Sequence, residues 1–397
     1  MSVIIVLFLI AASSFLIALF LQCPTMETFL TMITNTPSLD DKSIRNLIPI
    51  QQQIGNALLR ARVIALGRQQ SVLEIYRRIH VLDVTFYGFW GKWYVWGQHH
   101  PVITGLRDGA PLLDYIFRDA SMACQLAKDW QAAERALVRP KMQDDIRPLE
   151  MFQRIAEQLC QVKSPVANID AALALHMAWQ ASEAARCYEQ AIACLISLVR
   201  LVEHSIDYDP IVRWLQLTVA DILYKKRYEH TLEIYRQVIG RNVYDEKYYR
   251  SIGQIARILF HDKQYETVIS HTGQVLRYYR NQIDIDTEQI GHVALARIQA
   301  QLILKQWKEM QHDRSWMQYF CAADGGQSPE LTFVGRLHEA WADHNVELYE
   351  LAVREYDRHN PMSDEQIDLF LSVKARILKA APPSLIASAL PPPSSRR

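Results

Sequence analysis

Glycine is scarce in this sequence, with 14 glycines among 397 residues. Loops that cradle phosphates need glycine at fixed spacing, and neither a GxxxxGK[ST] loop nor a GxGxxG loop after a strand occurs. The HExxH helix of zinc proteases and the GxSxG turn of serine hydrolases are also missing. We therefore expect a protein that is not an enzyme and binds no cofactor, with a helical enzyme of unfamiliar site as the open alternative.

Excess charge is lacking as well, since 43 Lys and Arg residues balance 43 Asp and Glu residues. A neutral chain without a zinc or helix-turn-helix signature predicts no nucleic-acid partner. The six cysteines form no CxxC pair, and none has histidine at metal-ligand spacing. The sequence therefore predicts no metal site and indicates free thiols, as in a cytosolic protein.

A long apolar run extends from Val3 to Phe20 and carries no charged residue. As a helix, these 18 residues would rise about 27 Å, close to the thickness of a bilayer core. A signal peptide usually begins with basic residues, whereas the first basic residue here is Lys42. We expect a membrane anchor, with a cleaved signal peptide or a buried helix as alternatives.

The segment that we call the aromatic segment, Phe86–Trp96, contains seven aromatic residues in eleven and is broken by glycine. Trp and Tyr suit the membrane interface because they combine apolar rings with hydrogen-bonding groups. Some of these rings also fit a helical stripe, so core packing is the alternative. Candidate membrane contacts are Phe86, Tyr87, Phe89, Trp90 and Trp93.

The region before the aromatic segment is interpreted in two parts. Gln22 to Asp41 contains two prolines and no clear periodicity, which is typical of a linker. From Ile50 to Arg78 apolar residues recur near a period of 3.6, which predicts one amphipathic helix.

From Pro111 to about Leu378 the sequence is helical in pattern, and helix pairs recur. Each candidate pair contains a bulky aromatic followed by small or aliphatic residues at helical spacing. Such pairs bury their apolar faces by stacking on one another. We predict an all-α fold, a right-handed tetratricopeptide-like solenoid of helix pairs with a C-terminal helical bundle; an unrelated helical bundle is the alternative. The aromatic positions are Trp130, Trp179, Tyr228, Tyr265 and Trp307.

Three stretches, in order, resemble the soluble NSF attachment protein (alpha-SNAP) family. They are LLDYIFRDASMACQLAKDWQAAERAL from Leu112, ADILYKKRYEHTLEIYRQV from Ala220, and LHEAWADHNVELYELAVREYDRHNPMSDEQIDLFLSVKARI from Leu337. The resemblance covers roughly residues 84–379. It departs from the family in the N-terminal extension and in the tail, where PPPSSRR stands in place of an acidic, leucine-ending tail.

The resemblance implies an adaptor that lies along a SNARE four-helix bundle, recruits an NSF-type AAA ATPase, and touches the cytosolic face of a membrane. The protein would be peripheral or held by a single N-terminal anchor. A membrane-anchored tetratricopeptide-like scaffold with an unrelated peptide partner is the alternative function. The missing acidic tail leaves stimulation of the ATPase open.

The resemblance also suggests binding residues, because a SNARE bundle presents an acidic surface. Candidate SNARE contacts are Arg213, Lys225, Lys226 and Arg227, and candidate ATPase contacts are Lys374, Arg376 and Lys379. Solvated surface charge and a capping helix are the respective alternatives.

These interpretations divide the chain into six parts. They are a hydrophobic segment (1–22), an extension with an amphipathic helix (23–83), the aromatic membrane-contact region (84–110), the solenoid (111–320), the C-terminal bundle (328–380) and a disordered Pro/Ser-rich tail (381–397).

Overall fold

The structure is a computed structural model in which the chain forms two compact units, Met1–Arg227 (unit 1) and Tyr228–Arg397 (unit 2). The division falls inside the region predicted as one solenoid. The residues described are 24–36, 49–72, 76–81, 84–89, 92–95, 113–117, 119–138, 145–226, 231–240, 243–282, 287–374 and 377. The apolar run Val3–Phe20 and the tail 381–397 lie outside these residues.

The described part of the chain is mostly helical, which confirms the coarse prediction of a helical protein. In unit 1 the helices are α1 (Met26–Thr34), α2 (Ile50–Leu66), α3 (Leu113–Ile116), α4 (Ala120–Val138), α5 (Arg147–Cys160), α6 (Pro165–Ala184), α7 (Tyr188–Glu203) and α8 (Asp209–Lys225). Helix α1 corrects the prediction that Gln22 to Asp41 is a linker.

Helix α6 is the centre of unit 1, where it packs against α2, α5 and α7. Its N-terminus is fixed by Ser164, whose side chain accepts a hydrogen bond from the Ala167 backbone, and by Pro165 in the first turn. Small side chains let its neighbours approach from several sides. The buried alanines of this helix are Ala167, Ala171, Ala172, Ala174, Ala178 and Ala181.

An antiparallel four-stranded sheet follows α2, with strand order β1-β2-β3-β4. This sheet departs from the all-α prediction, and it also corrects the predicted helix Ile50–Arg78, which ends at Leu66. Ile79 pairs with Phe86 and Phe86 with Val95 across adjacent strands, so side chains of strands rather than of a helix form this part of the core. The strands are β1 (Gly67–Val72), β2 (Tyr76–Val81), β3 (Val84–Phe89) and β4 (Lys92–Val95).

Two buried arginines of α2 hold other helices of unit 1. Arg60 forms an ion pair with Glu27 and donates to Thr31 Oγ1 at 3.0 Å and to the Thr36 carbonyl at 3.1 Å, which fixes α1. Arg62 lies 3.4 Å from Asp170 on α6, and both side chains are fully buried. Because unpaired buried charges are costly, these contacts fix the positions of α1 and α6 relative to α2.

Unit 2 is built from helices that follow one another along the chain. Each helix packs against the next, and α10 packs against α12 as α12 does against α14. The shared core contains aliphatic residues and the aromatic rings of Tyr279, Phe320, Phe333, Tyr349 and Phe370. The helices are α9 (Thr231–Gly240), α10 (Glu246–His261), α11 (Tyr265–Tyr279), α12 (Thr287–Ile303), α13 (Trp307–Asp324), α14 (Pro329–Ala342), α15 (Val346–His359) and α16 (Asp364–Leu371).

The aromatic residues predicted to mark helix pairs occupy two kinds of position. Tyr265 and Trp307 are the first residues of α11 and α13, as expected for the second helix of a pair. Trp130 and Trp179 instead lie inside α4 and α6, where each indole donates to the glutamate four residues later. Tyr228 lies outside the described residues.

Candidate functional site

The pleat of the sheet divides the aromatic segment between two faces. Phe86 is 1% exposed, and its ring lies 5.0 Å from that of Phe29 on α1, edge to face. The Trp93 ring lies 4.9 Å from the Phe29 ring, and the Trp93 indole N–H donates to Thr28 Oγ1 at 3.1 Å. Phe86 is therefore a core residue and not a membrane contact, which corrects that prediction; Trp93 is half-buried in the same packing.

The opposite face of the sheet presents Tyr87 and Tyr94, which are cross-strand neighbours. They are 37% and 43% exposed, and the Arg78 guanidinium lies 5.9 Å from the Tyr87 ring centre. Two exposed phenols beside a cation form a surface suited to a polar–apolar boundary. Tyr87 therefore keeps its place as a candidate membrane contact, whereas the Phe89 side chain and Trp90 lie outside the described residues.

Of the three predicted SNARE contacts that the structure describes, only Lys225 is exposed. Arg213 is 2% exposed and lies 3.6 Å from Asp209 on the same helix, so it is not a surface contact, which corrects that prediction. Lys226 is half-buried, forms an ion pair with Glu183, and lies 5.4 Å from the Tyr188 ring centre. Lys225 is exposed at the end of α8, and Arg227 lies outside the described residues.

The predicted ATPase contacts follow α16, at the end of the described chain. Lys374 forms an ion pair with Glu350 on α15, and that contact lowers the pKa of the Glu350 carboxyl. Phe370, Val373 and Ile377 are buried around it. This segment therefore covers the core of unit 2, as the capping alternative expects, while Arg376 and Lys379 lie outside the described residues.

The backbone conformation identifies a second set of basic residues, which lie in the turns between helices. Four three-residue turns join helix pairs α6–α7, α10–α11, α12–α13 and α14–α15. In each turn the third residue donates its N–H to a carbonyl five residues earlier, at 2.8 to 2.9 Å. The middle residue adopts the left-handed conformation in every case. These middle residues are Arg186 (φ 57°), Lys263 (φ 61°), Lys305 (φ 58°) and His344 (φ 50°).

The middle residue of such a turn is usually glycine, because other side chains are strained there. Here all four positions carry Arg, Lys or His, and Arg186, Lys263 and Lys305 are exposed. In unit 2 a three-residue turn ends each of α10, α12 and α14, and α10 packs against α12 as α12 does against α14. We therefore infer that Lys263, Lys305 and His344 lie along one edge of unit 2, which we call the basic edge. The exposed Asp262 and Asp343 adjoin two of these positions.

Sequence reasoning missed the basic edge, although a signal was present. The stretches HDKQY and LKQW place Lys-Gln before an aromatic residue at the same point of two helix pairs. A helix C-terminus also attracts cations, because its carbonyls carry partial negative charge. That local electrostatic role applies at each of these turns, so Arg186, Lys263 and Lys305 do not by themselves require a binding partner.

A cavity of about 480 Å³ lies between α14 and α15. Its apolar wall contains Phe333 and Tyr356, whose rings stack at 4.2 Å. Burial, followed by the nearby Glu330, raises the pKa of Tyr356 to about 12. Arg336, paired with Glu355, also lines the cavity. The cavity thus combines an aromatic wall with charged groups, a composition common in ligand-binding pockets.

The His, Cys, Asp and Glu side chains of the described part of the chain determine whether it could bind a metal, and the contacts of its buried histidines indicate their role. No cluster of three His, Cys, Asp or Glu residues suited to a metal occurs there. The buried His176 and His338 have pKa values lowered to about 4, chiefly by burial. Each contacts a backbone carbonyl, that of Gln51 for His176 and that of Met310 for His338, as a structural histidine does.

The described helices include none that combines the length and apolar character needed to cross a bilayer. No protein-family model matches the chain, and no curated protein matches it either. The resemblance to the SNAP family therefore stays a prediction from the three stretches of sequence.

Proposed function

We propose that the helix pairs form a tetratricopeptide-like solenoid and that the protein is a non-enzymatic adaptor in SNARE-complex disassembly. The observation that carries the proposal is the recurrence of one turn geometry at four helix pairs. In unit 2 it is accompanied by packing between successive and alternate helices. Stacked helix pairs expose an extended surface suited to a long helical partner.

The basic edge replaces Arg213 as the surface for an acidic bundle. Lys263 and Lys305 are exposed and lie one helix pair apart, so they match a partner that presents repeated negative charge along its length. Exposed charges of this kind contribute more to the association rate than to affinity. The proposed interaction is therefore weak at each residue and sensitive to salt.

The sheet face with Tyr87 and Tyr94 is the proposed contact with the membrane surface, and the segment around Lys374 is the proposed contact with the ATPase. A membrane-bound adaptor gains affinity for a membrane-bound SNARE bundle through effective concentration. Weak individual contacts with the membrane and with the SNARE bundle are therefore sufficient for binding when both are made together.

A second function, a scaffold for an unrelated peptide, is favoured by the cavity between α14 and α15. Its stacked Phe333 and Tyr356 and its ion pair Arg336–Glu355 are suited to an extended peptide rather than to a four-helix bundle. The two functions predict different effects of the same substitutions, so one assay distinguishes them.

The test is SNARE-complex disassembly by the full-length chain with a preformed bundle, NSF and ATP. The adaptor function predicts disassembly above the background without the chain, and a loss of activity in Lys263→Glu/Lys305→Glu. Arg277→Glu, at an exposed position near the end of α11 that is opposite the Lys263 turn, is the matched control. Binding without disassembly would indicate an adaptor that has lost its ATPase coupling. Absence of both would exclude the adaptor function and favour the scaffold.

A further inference from the structure

Four partly exposed tyrosines form a continuous surface in unit 2, which we call the tyrosine ledge. Their ring centres are 4.8 Å apart from Tyr244 to Tyr248, 5.0 Å from Tyr248 to Tyr249, and 4.0 Å from Tyr249 to Tyr278, with the last pair stacked. The ledge ends at the buried Tyr279, which contacts Tyr278 and donates to Gln289 Oε1 at 3.2 Å. Its inner end is thus fixed to the core.

The outer end of the ledge is open, because Tyr244 is 64% exposed. Tyr248, Tyr249 and Tyr278 are half-buried against the core of the unit. Two of the three ring contacts are edge to face and the third is stacked. Such an arrangement is larger than the isolated exposed aromatic residues of ordinary surfaces.

The ledge is also acidic at one side. Asp245 and Glu246 lie at the start of α10, and the Asp245 carboxylate accepts the Tyr248 backbone N–H at 3.0 Å. Burial, and then the charges of Glu246 and Asp245, raise the pKa of Tyr278. The two carboxylates are therefore close enough to the rings to act on a ligand that lies across them.

Tyrosine rings with adjacent carboxylates match one class of peptide. Polyproline segments dock on aromatic surfaces because their rings pack on the aromatic faces and their helix is formed before binding. Their carbonyl groups lack internal hydrogen bonds and can accept from tyrosine hydroxyls. A basic residue next to the prolines would then pair with the acidic side of the ledge.

The chain itself carries such a segment at its C-terminus, Pro391-Pro392-Pro393-Ser394-Ser395-Arg396-Arg397. We propose that residues 391–397 of this chain bind the tyrosine ledge of the same molecule. The prolines pack on the rings between Tyr244 and Tyr278, and the two terminal arginines face Asp245 and Glu246.

The length of chain is sufficient for this contact. Thirteen residues lie between Ile377, the last one described, and Pro391, and this connection spans up to about 45 Å when extended. A domain of this size has a radius of gyration of roughly 15 Å. Tethering gives an effective concentration of about 1 mM, so a contact with a Kd of about 100 μM is mostly formed within the molecule.

The test uses a labelled peptide with the sequence SALPPPSSRR, residues 388–397, titrated by fluorescence anisotropy. The full-length tail variant Pro391→Ala/Pro392→Ala/Pro393→Ala has no competing segment, and we expect it to bind the peptide. Wild type should bind about tenfold more weakly, because its own tail occupies the ledge. Adding Tyr244→Ala to the tail variant should weaken binding by about fivefold or more, since it removes one aromatic contact.

The matched control is Tyr319→Ala in the same tail variant, because Tyr319 is also an exposed tyrosine of unit 2 but lies outside the ledge. It should leave binding unchanged. Equal binding by wild type and the tail variant would overturn the proposal and make the ledge a site for another protein. If the weaker peptide binding of wild type disappears when the protein is diluted, the ledge is occupied by the tail of a second copy, and the proposal of binding within one molecule is overturned. No binding by the tail variant would overturn it altogether.

Discussion

Arg297 and Asp313 form a bidentate ion pair inside unit 2. The guanidinium Nε and Nη2 lie 2.5 and 3.2 Å from the two carboxylate oxygens. Arg297 also donates to the Ile269 carbonyl at 2.6 Å, and Gln301 donates to Asp313 at 2.7 Å. The pair therefore joins α11, α12 and α13 through groups that are almost entirely shielded from water.

Removal of one partner should destabilise unit 2 strongly. Arg297→Met leaves the Asp313 carboxylate buried without its cation, and we expect a loss of about 3–5 kcal/mol in the free energy of unfolding. Urea denaturation would measure it. Arg297→Met/Asp313→Leu should recover part of that loss. The control is Arg336→Ala, which breaks an exposed ion pair with Glu355 and should cost at most about 1 kcal/mol. If Arg297→Met and Arg336→Ala lowered the free energy of unfolding equally, burial of the Arg297–Asp313 pair would not contribute to its effect on stability.

Acid should destabilise unit 2 through His338. Its pKa in the folded protein is about 4, below the ordinary value of about 6.5, so the unfolded chain binds the additional proton between these values. Stability is therefore full above about pH 6.5 and falls as the pH approaches 4, by about 3 kcal/mol from this residue.

Urea midpoints at pH 7, 5.5 and 4.5 would measure this effect. His338→Gln should flatten the pH dependence of unit 2, whatever its effect on stability at pH 7. A pH dependence that survives His338→Gln unchanged would contradict the prediction.

The strained turns of the basic edge should gain stability from glycine. Lys263→Gly and Lys305→Gly remove the side-chain strain of the left-handed conformation. We expect each to stabilise unit 2 by about 0.5–1 kcal/mol, measured by thermal unfolding. Gln318→Gly, at an exposed position inside α13, should cost about 1 kcal/mol. If the edge binds an acidic partner, the turn variants should also weaken that binding and reduce its dependence on salt.

The two faces of the sheet should respond differently to substitution. Phe86→Ala empties a buried site against Phe29 and should cost about 3–5 kcal/mol. Tyr87→Ala should change stability by no more than about 1 kcal/mol, yet lower sedimentation with anionic phospholipid vesicles. Tyr188→Ala, an exposed tyrosine of α7, is the control for vesicle binding. Unchanged sedimentation of Tyr87→Ala would remove this face as a membrane contact.

The helices could be predicted from sequence because their apolar period is local. The helix boundary near Leu66 could not, since Val72 and Ile75 continue the period of 3.6 that begins in α2. What decides the strand conformation is contact between distant residues, such as the packing of Phe86 on Phe29. A local pattern does not contain that contact.

The candidate sites also differ in whether they depend on local sequence or on contacts between distant residues. That Lys225 is exposed agrees with its place at the end of a helix. The burial of Arg213 depends on the neighbours of α8 and could not be predicted from the identity of the residue. The tyrosine ledge combines residues from α10 and α11 that are about thirty positions apart, so it appears only when both helices are placed.

The three-residue turns also determine where this protein can change in length. A turn in which every N–H has a fixed carbonyl partner cannot accommodate an additional residue without losing hydrogen bonds. One inserted residue would also rotate the following helix by about 100°. That rotation would move its apolar face out of the core. The connection between Tyr279 and Thr287 is seven residues long, against three in each of these turns. Insertions, tags or fused domains in unit 2 are therefore best placed there, between successive helix pairs and away from the basic edge.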